Sequence, residues 1–95
     1  VQATDGQVVS KTLAQNKYVS ITVFAFSKGE EISTHESDGD ALVTVLEGTG
    51  KFIVDGKEYV LNAGESVVMP ARKPHSVHAI ESFKMQLTVV FPLER

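Results

Sequence analysis

The sequence predicts an all-β fold, an antiparallel double-sheet β-barrel of jelly-roll type. Every apolar run is short, rich in Val, Ile, Phe and Thr, and bounded by Gly, Asp, Asn or Pro, which is typical of strands and turns. No segment keeps helical spacing over about eleven residues. Turn residues recur about every eight to twelve positions, as a sandwich or small barrel requires.

The strands follow from these runs in order along the chain. The clearest element is a hairpin, in which Asp55-Gly56 separates two apolar arms. Asp-Gly tolerates the positive φ angles of a type I′ turn, whose twist matches that of paired strands. We expect the hairpin at Lys51–Leu61 and further strands at Gln7–Ala14, Tyr18–Phe26, Ile32–His35, Ala41–Leu46, Ser66–Met69, His75–Ile80 and Lys84–Phe91.

Two of these strands predict how the surfaces of the barrel are covered. In the second strand, alternation makes one face wholly apolar, while the other face carries Phe24 and Phe26. Exposed phenylalanines are normally covered by another sheet or another subunit, so these residues and the amino-terminal edge strand predict a symmetric homodimer. The strand at Ala41–Leu46 is almost continuously apolar and is predicted to be buried on both sides.

Length and composition limit the class of protein. The chain has 95 residues, a formal charge of −3 and no cysteine. One domain over residues 1–95, with its core at about 19–91, fits this length, and the lack of cysteine favours the cytoplasm. The negative charge and the absence of a long apolar run argue against nucleic-acid and membrane binding. Because the chain begins without Met or a signal-like region, we expect a trimmed or incomplete amino end.

Acidic residues concentrate between Gly29 and Gly50, where six acids occur without any Lys or Arg. One interpretation is a solvated rim of strand ends and loops. The other is a field that attracts cations around His35 and helps to keep its ring protonated when no metal is bound.

All three histidines lie in two short segments, which closure of a barrel would bring together. His35 ends one strand, while His75 and His78 lie in another. A histidine at a strand end is often only a structural hydrogen-bonding group. A functional role is favoured because His35 and His75 each lie beyond a glycine turn, at equivalent places in two half-repeats of the strand pattern.

The two histidine segments resemble the motifs of a small single-domain cupin. The first cupin motif has a Gly, five residues and His-x-His, and ends with a Glu and a Gly; residues 29–35 match its opening and residues 45–48 its close. The second motif has a Gly, five residues, Pro-x-Gly, two residues and a His; residues 64–70 and His75 match it. The resemblance spans about residues 19–91. It implies the jelly-roll barrel but not one activity, because one barrel hosts isomerases, dioxygenases, decarboxylases, storage proteins and sensors.

The resemblance also implies a metal site of three histidines and one glutamate, which this chain retains only in part. His35 and His75 stand at the first and third histidine positions, whereas Ser37 and Ala41 stand where the second His and the Glu belong. Two imidazoles alone bind a divalent metal weakly. We therefore expect either no cofactor or a weakly bound divalent ion. Arg72 replaces the glycine of the second motif, so the loop near His75 is expected to differ.

Strand alternation indicates which other side chains enter the cavity. Met85 is predicted to lie near the histidines as an apolar filler of the core. Asp38 and Asp40 lie in a loop in which alternation is lost, so either could bend over the mouth of the barrel. The side chains predicted to point outward are Glu36 and His78, and those predicted to point inward are Val77 and Ala79.

Three functions remain open from the sequence. The first is binding of a small molecule, organic-acid or sugar-like, in a cavity formed by His35, Ser37, Ala41, His75 and Met85, with metal absent or weakly held. The second is a metal-dependent enzyme of isomerase, dioxygenase or lyase type that uses His35 and His75. The third is a non-catalytic structural or regulatory dimer.

Overall fold

The structure is a computed structural model that describes residues 6–92. Within this range the chain forms β-strands and no helix, and so no helix long and apolar enough to cross a membrane. The nine strands are β1 (Val8–Gln15), β2 (Val19–Phe26), β3 (Glu31–His35), β4 (Asp40–Glu47), β5 (Thr49–Val54), β6 (Lys57–Asn62), β7 (Ser66–Met69), β8 (His75–Ala79) and β9 (Phe83–Val90). The all-β prediction is confirmed, and each predicted strand is present with ends shifted by at most two residues.

The strands form two antiparallel sheets that face each other as a jelly roll. The five-stranded sheet has the order β1-β2-β9-β4-β7, and the four-stranded sheet has the order β3-β8-β5-β6. Strand β1 is an edge strand, as expected. At the hairpin between β5 and β6, Asp55 has a φ of 50° and Gly56 a φ of 80°, which are the two positive values that a type I′ turn needs.

One half of the barrel interior is filled by aromatic rings. Phe26 stacks on Phe83 with ring centroids 4.7 Å apart, and Phe52 meets Phe83 edge-on at 6.0 Å. All three rings are almost completely buried. Since Phe52 belongs to the four-stranded sheet and Phe26 and Phe83 to the five-stranded sheet, these contacts join the two layers.

The structure differs from the sequence prediction in which faces of β2 and β4 are buried. Phe24 and Phe26 point into the barrel, where Phe26 is in the core and Phe24 packs against it, so the prediction that they lie on a subunit interface is wrong. The prediction that β4 is buried on both sides is also wrong, because its burial alternates and Leu42 is 45% exposed. In both strands, the opposite sheet covers only the inner face.

Glycine is required where β4 passes into β5. Gly48 has a φ of 77°, and a Cβ atom there would overlap the carbonyl oxygen of Ser82. Gly64 has a similar φ of 89° but open space around it. Substitution of Gly64 therefore introduces only the cost of a left-handed backbone, whereas substitution of Gly48 introduces that cost and a steric overlap.

We predict that Gly48→Ala destabilises the protein more than Gly64→Ala. The left-handed conformation alone costs a non-glycine residue about 1–2 kcal/mol, which is the loss expected for Gly64→Ala. Gly48→Ala adds the displacement of the Ser82 backbone. Urea denaturation of the two variants measures the difference, and equal losses would contradict the prediction.

Candidate functional site

The other half of the barrel contains a cavity of about 80 Å³. Most of its wall is aliphatic, sulfur-containing or aromatic, and its polar side chains belong to two histidines and a serine. The lining residues are Phe24, Ile32, His35, Ser37, Ala41, Met69, His75, Val77, Met85, Leu87 and Val89. Among these, His75 and Met85 are almost fully buried, whereas His35 is exposed, so His35 lies where the cavity opens to solvent.

A bulge in β3 directs His35 into this cavity. Ile32 pairs with Val77 and His35 pairs with His75, so three residue steps on β3 match two on β8. Without the extra residue, Thr34 would lie opposite His75 and His35 would point outward. β-Bulges commonly re-aim a side chain in this way, and here the bulge places two histidines forty positions apart on the same interior face.

The two imidazole rings contact each other through their Nε2 atoms, which are 3.0 Å apart. The Nδ1 atom of His35 lies 2.9 Å from the carbonyl oxygen of Ser33, and that of His75 lies 3.1 Å from the carbonyl oxygen of Lys73. A carbonyl oxygen only accepts hydrogen bonds, so we assign a proton to both Nδ1 atoms. In the neutral state, both Nε2 atoms then carry lone pairs that face each other.

The two facing lone pairs repel each other, and a positively polarised group between the rings would remove this repulsion. One added proton would turn the facing lone pairs into an N–H···N hydrogen bond, and a ligand hydroxyl or a metal ion would serve the same purpose. Burial, and next the charge of the neighbouring His35, lower the pKa of His75 below its usual value of about 6.5. Burial of this ring thus opposes protonation of the pair when no ligand is bound.

The structure brings the predicted cavity residues together. Ser37, Ala41 and Met85 line the same cavity as the two histidines. The Ser37 hydroxyl donates to the carbonyl oxygen of Gly39 at 2.8 Å. Within residues 6–92, no three His, Cys, Asp or Glu side chains come close enough together to hold a metal ion.

The acids that could have bent over the mouth do not line the cavity. Asp38 and Asp40 are both exposed, and an Asp40 carboxylate oxygen accepts a hydrogen bond from the Ala71 backbone N–H at 2.8 Å. Glu36 is also exposed. His78 points to the outer side of its sheet, as predicted, where its Nδ1 atom lies 3.5 Å from a carboxylate oxygen of Glu31.

The loop before His75 keeps a glycine-like conformation although it has no glycine. Arg72 adopts a φ of 61° and donates its backbone N–H to the Ser37 carbonyl oxygen at 2.8 Å. This bond ties the loop that precedes His75 to the segment that follows His35. The side chain at position 72 therefore differs from the motif, whereas the positive φ that its glycine would supply is retained.

Sequence reasoning missed part of the cavity wall. Alternation leaves Phe24 on a face of β2 that another sheet or another subunit could cover, and it does not place Ile32 or Met69 in the cavity. Alternation from Val77 and Met85, together with the cross-strand pairing, would have found Ile32 and Phe24. The missing signal was the register between strands that are distant in sequence.

Comparison with known proteins agrees with this geometry. The family model described as "Cupin domain" matches residues 22–91. A conserved protein of unknown function from Streptococcus pyogenes is 43% identical, with a TM-score of 0.91 over 97% of this chain and 80% of that one. A cupin superfamily protein from Desulfitobacterium hafniense is 32% identical, with a TM-score of 0.93 over 97% of this chain and 84% of that one.

A third structure, a cupin 2 conserved barrel domain protein from Leptotrichia buccalis, is 46% identical over 95% of this chain and 44% of its own, with a TM-score of 0.92. No match is found among curated proteins. The two-sheet barrel with histidines at one end is the fold and site of a cupin-type protein. Because the cupin family model matches residues 22–91, the chain belongs to the cupin family.

We predict that His75 titrates below about 6.5 and that His35→Gln raises its pKa, because the variant removes a neighbouring positive charge. The unfolded chain then binds more protons than the folded chain between the two pKa values, so the contribution of His75 to stability is full above about pH 6.5 and is lost as the pH falls below it. NMR titration of the imidazole protons measures the pKa, and urea denaturation at several pH values measures the stability.

His78→Gln is the control for this prediction, since His78 lies on the same strand but on the opposite face of the sheet. It should leave the His75 titration unchanged. An unshifted His75, or one that ignores His35→Gln, would contradict the coupling of the two rings.

Proposed function

We propose that this cupin binds a small organic acid in the cavity between its two sheets, with the carboxyl group at His35 and His75 and the apolar part against the inner wall. The observation that carries the proposal is the pair of Nε2 atoms 3.0 Å apart at one end of an otherwise apolar cavity. No reaction is assigned, because the cavity-lining residues include no nucleophile held by a base.

A carboxylic acid suits the histidine pair because it supplies what the neutral pair lacks. A carboxylate next to the rings favours the protonated imidazole. The Nε2–H group formed by the added proton can then donate to the carboxylate as well as to the facing Nε2 atom. The pKa of His75 is low in the free protein mainly because of burial, so an anionic ligand would enter together with a proton. Binding would then strengthen as the pH falls.

The wall of the cavity favours an organic acid over a sugar-like ligand. A sugar presents several hydroxyl groups, and each buried hydroxyl without a partner costs about 1–3 kcal/mol. Besides the two imidazoles, Ser37 supplies the one polar side chain of the wall within residues 6–92, and its hydroxyl already donates to the carbonyl oxygen of Gly39. A volume of about 80 Å³ is close to half the roughly 150 Å³ that accommodates the six carbon atoms of benzene. We therefore expect a short acid with about three carbon atoms inside the cavity and its carboxyl group at the mouth, where His35 is exposed.

A weak metal site is the second candidate, and the same ring geometry favours it. Both imidazoles donate Nδ1–H to backbone carbonyls, as metal-bound histidines commonly do, and both leave Nε2 free. The metal that the family implies would be held by His35 and His75, and would supply Lewis-acid chemistry. Ser37 and Ala41 provide no further strong ligand, so the donor set fits such an ion only in part.

We place the protein in the cytoplasm, in keeping with its lack of cysteine.

We predict that butanoate binds with a dissociation constant of about 0.1–1 mM at pH 6, and that butan-1-ol and xylose bind at least about tenfold more weakly. Comparison with butan-1-ol tests the contribution of the carboxylate, and comparison with xylose tests the contribution of the apolar chain. Isothermal titration calorimetry in two buffers of different ionisation enthalpy measures both the affinity and the uptake of about one proton.

Three variants test the location of this site. His75→Gln should abolish proton uptake and weaken binding, and Ala41→Leu should block the cavity, whereas His78→Gln on the opposite face of β8 should bind butanoate as the parent does. If xylose binds better than butanoate, or if His75→Gln has no effect, the organic-acid proposal is wrong.

We predict that Ser37→His with Ala41→Glu creates a metal site, because both positions line the cavity with His35 and His75. A ligand at about 1,000 times its dissociation constant stabilises the native state by about 4 kcal/mol. Added Mn²⁺, Ni²⁺ or Zn²⁺ should therefore raise the melting temperature of the double variant by several degrees and that of the parent only slightly. Micromolar metal binding by the parent would instead favour the second candidate.

A further inference from the structure

Two methionines line the same cavity as the histidine pair, and neither has a role as a ligand in the functions considered so far. Met69 is 3% exposed and Met85 is 2% exposed, and both border the cavity that contains His35 and His75. They are the two methionines of this chain. Because a thioether sulfur is a soft, polarisable donor, the cavity offers metal ligands of a second kind besides its imidazoles.

The strand register places Met69 beside the position where the family's motif has a glutamate ligand. Ala41 stands at that position, and Met69 is its direct partner on the neighbouring strand β7. Directly opposite residues of an antiparallel pair have their Cβ atoms about 4.5–5.5 Å apart, and both of these residues line the cavity. Since the side chain of Ala41 ends at its Cβ atom, the longer side chain of Met69 can extend past it toward the histidines.

Met85 lies at a different level of the barrel. Its cross-strand partners are Phe24 and Val45. The residue of the same strand that pairs with Ala41 is Val89, and four residue steps along a strand correspond to about 13 Å. Met85 therefore borders the inner part of the cavity, and its backbone is distant from the position of the missing glutamate.

The donors around the histidine pair suit a soft monovalent ion better than the divalent ion that the family implies. Imidazole and thioether ligands suit Cu(I), whereas ions such as Mn²⁺ prefer carboxylate and water oxygens. Within residues 6–92, no Asp or Glu joins the two imidazoles in a group that could hold a metal ion. The wall is mostly apolar, and the cost of burying an ion in such surroundings rises steeply with its charge.

The histidine pair has the spacing of two ligands of one ion. The two Nε2 atoms are 3.0 Å apart, and the ring planes are inclined by 75°. Two nitrogen ligands at about 2.0–2.1 Å from a tetrahedral metal ion lie about 3.3–3.4 Å from each other. A separation of the rings by a few tenths of an ångström would therefore admit an ion, and His35 is exposed on the side where such a shift is free.

We propose that the cavity binds Cu(I), with the Nε2 atoms of His35 and His75 and the thioether sulfur of Met69 as its ligands. This inference rests on the second candidate function, a metal ion held by the two imidazoles, and names the ion and its third ligand. Both Nδ1 atoms carry the ring protons, so Cu(I) binds the neutral pair without releasing a proton. It uses the same lone pairs as the organic acid, and the two ligands therefore exclude each other.

Methyl NMR of the two methionines tests the ligand assignment, because Cu(I) has a closed d shell and does not broaden the spectrum. Protein labelled with ¹³C at the methionine methyl groups gives two signals, and either Met69→Leu or Met85→Leu identifies both of them. Titration of the parent with Cu(I) under ascorbate should shift the Met69 signal more than the Met85 signal. X-ray absorption should show a sulfur neighbour about 2.3 Å from copper.

Competition with bicinchoninate, a chromophoric Cu(I) chelator, measures the affinity. Met69→Leu should weaken Cu(I) binding at least about tenfold, since even the loss of an outer-shell partner costs about 10–100-fold. Met85→Leu is the matched control in the same cavity and should stay within about twofold of the parent. Exchange of Met for Leu is well tolerated in cores, and circular dichroism checks the fold. If Met69→Leu does not fold, the parent's spectra and Met85→Leu still decide.

The outcomes separate this inference from the proposed functions. Tighter binding of Zn²⁺ or Ni²⁺ than of Cu(I), a larger shift at Met85, or equal affinities of the two Leu variants would overturn the copper assignment and leave a metal site in place. A parent that binds no metal ion would overturn the second candidate function as well. Butanoate titration without copper decides the organic-acid proposal by itself. Butanoate binding that persists in the Cu(I)-loaded parent would contradict the shared use of the histidine lone pairs.

Discussion

The packing of Phe83 between Phe26 and Phe52 is the contact on which the rest of the barrel depends. It joins the two sheets at one end, and it requires Gly50 beside it, because a Cβ atom there would lie 2.7 Å from the Phe83 ring. Three buried phenylalanines pack at this end. At the other end, where the histidines lie, Phe24 is the one phenylalanine in the wall within residues 6–92, and the barrel encloses a cavity there.

Much of this architecture could be predicted from local sequence, because alternation, turn residues and strand length are local properties. The Asp55-Gly56 turn and the inward side of β8 and β9 are examples. The burial of Phe24 and Phe26 and the exposure of Leu42 could not be predicted in the same way. Alternation divides a strand into two faces, but it does not say which face meets the opposite sheet when both carry apolar residues. In β2 and β4, only the cross-strand register decides.

The candidate site, too, could be predicted only in part from local sequence. His35 and His75 could be selected from motif spacing, and their cavity neighbours Ser37 and Ala41 followed from it. The bulge between Ile32 and His35 could not be read from residues 31–35, since Ser33 and Thr34 suit a regular strand as well. Without the bulge, alternation from the inward Ile32 sends His35 to the solvent. The site thus depends on one backbone irregularity that pairing with β8, rather than local composition, reveals.

The loss of two ligand positions changes what the retained histidines can do. In a site with four protein ligands, the two Nε2 lone pairs would be held by a metal ion, and no added proton would be needed. Here the Nδ1 atoms are bonded to the carbonyl oxygens of Ser33 and Lys73, as in many metal-bound histidines, whereas Ser37 and Ala41 offer no strong metal ligand. The lone pairs of His35 and His75 then remain to be balanced by something that enters the cavity. The short organic acid proposed above would meet this need, because its carboxylate would enter together with a proton, and the apolar wall would contact its hydrocarbon part.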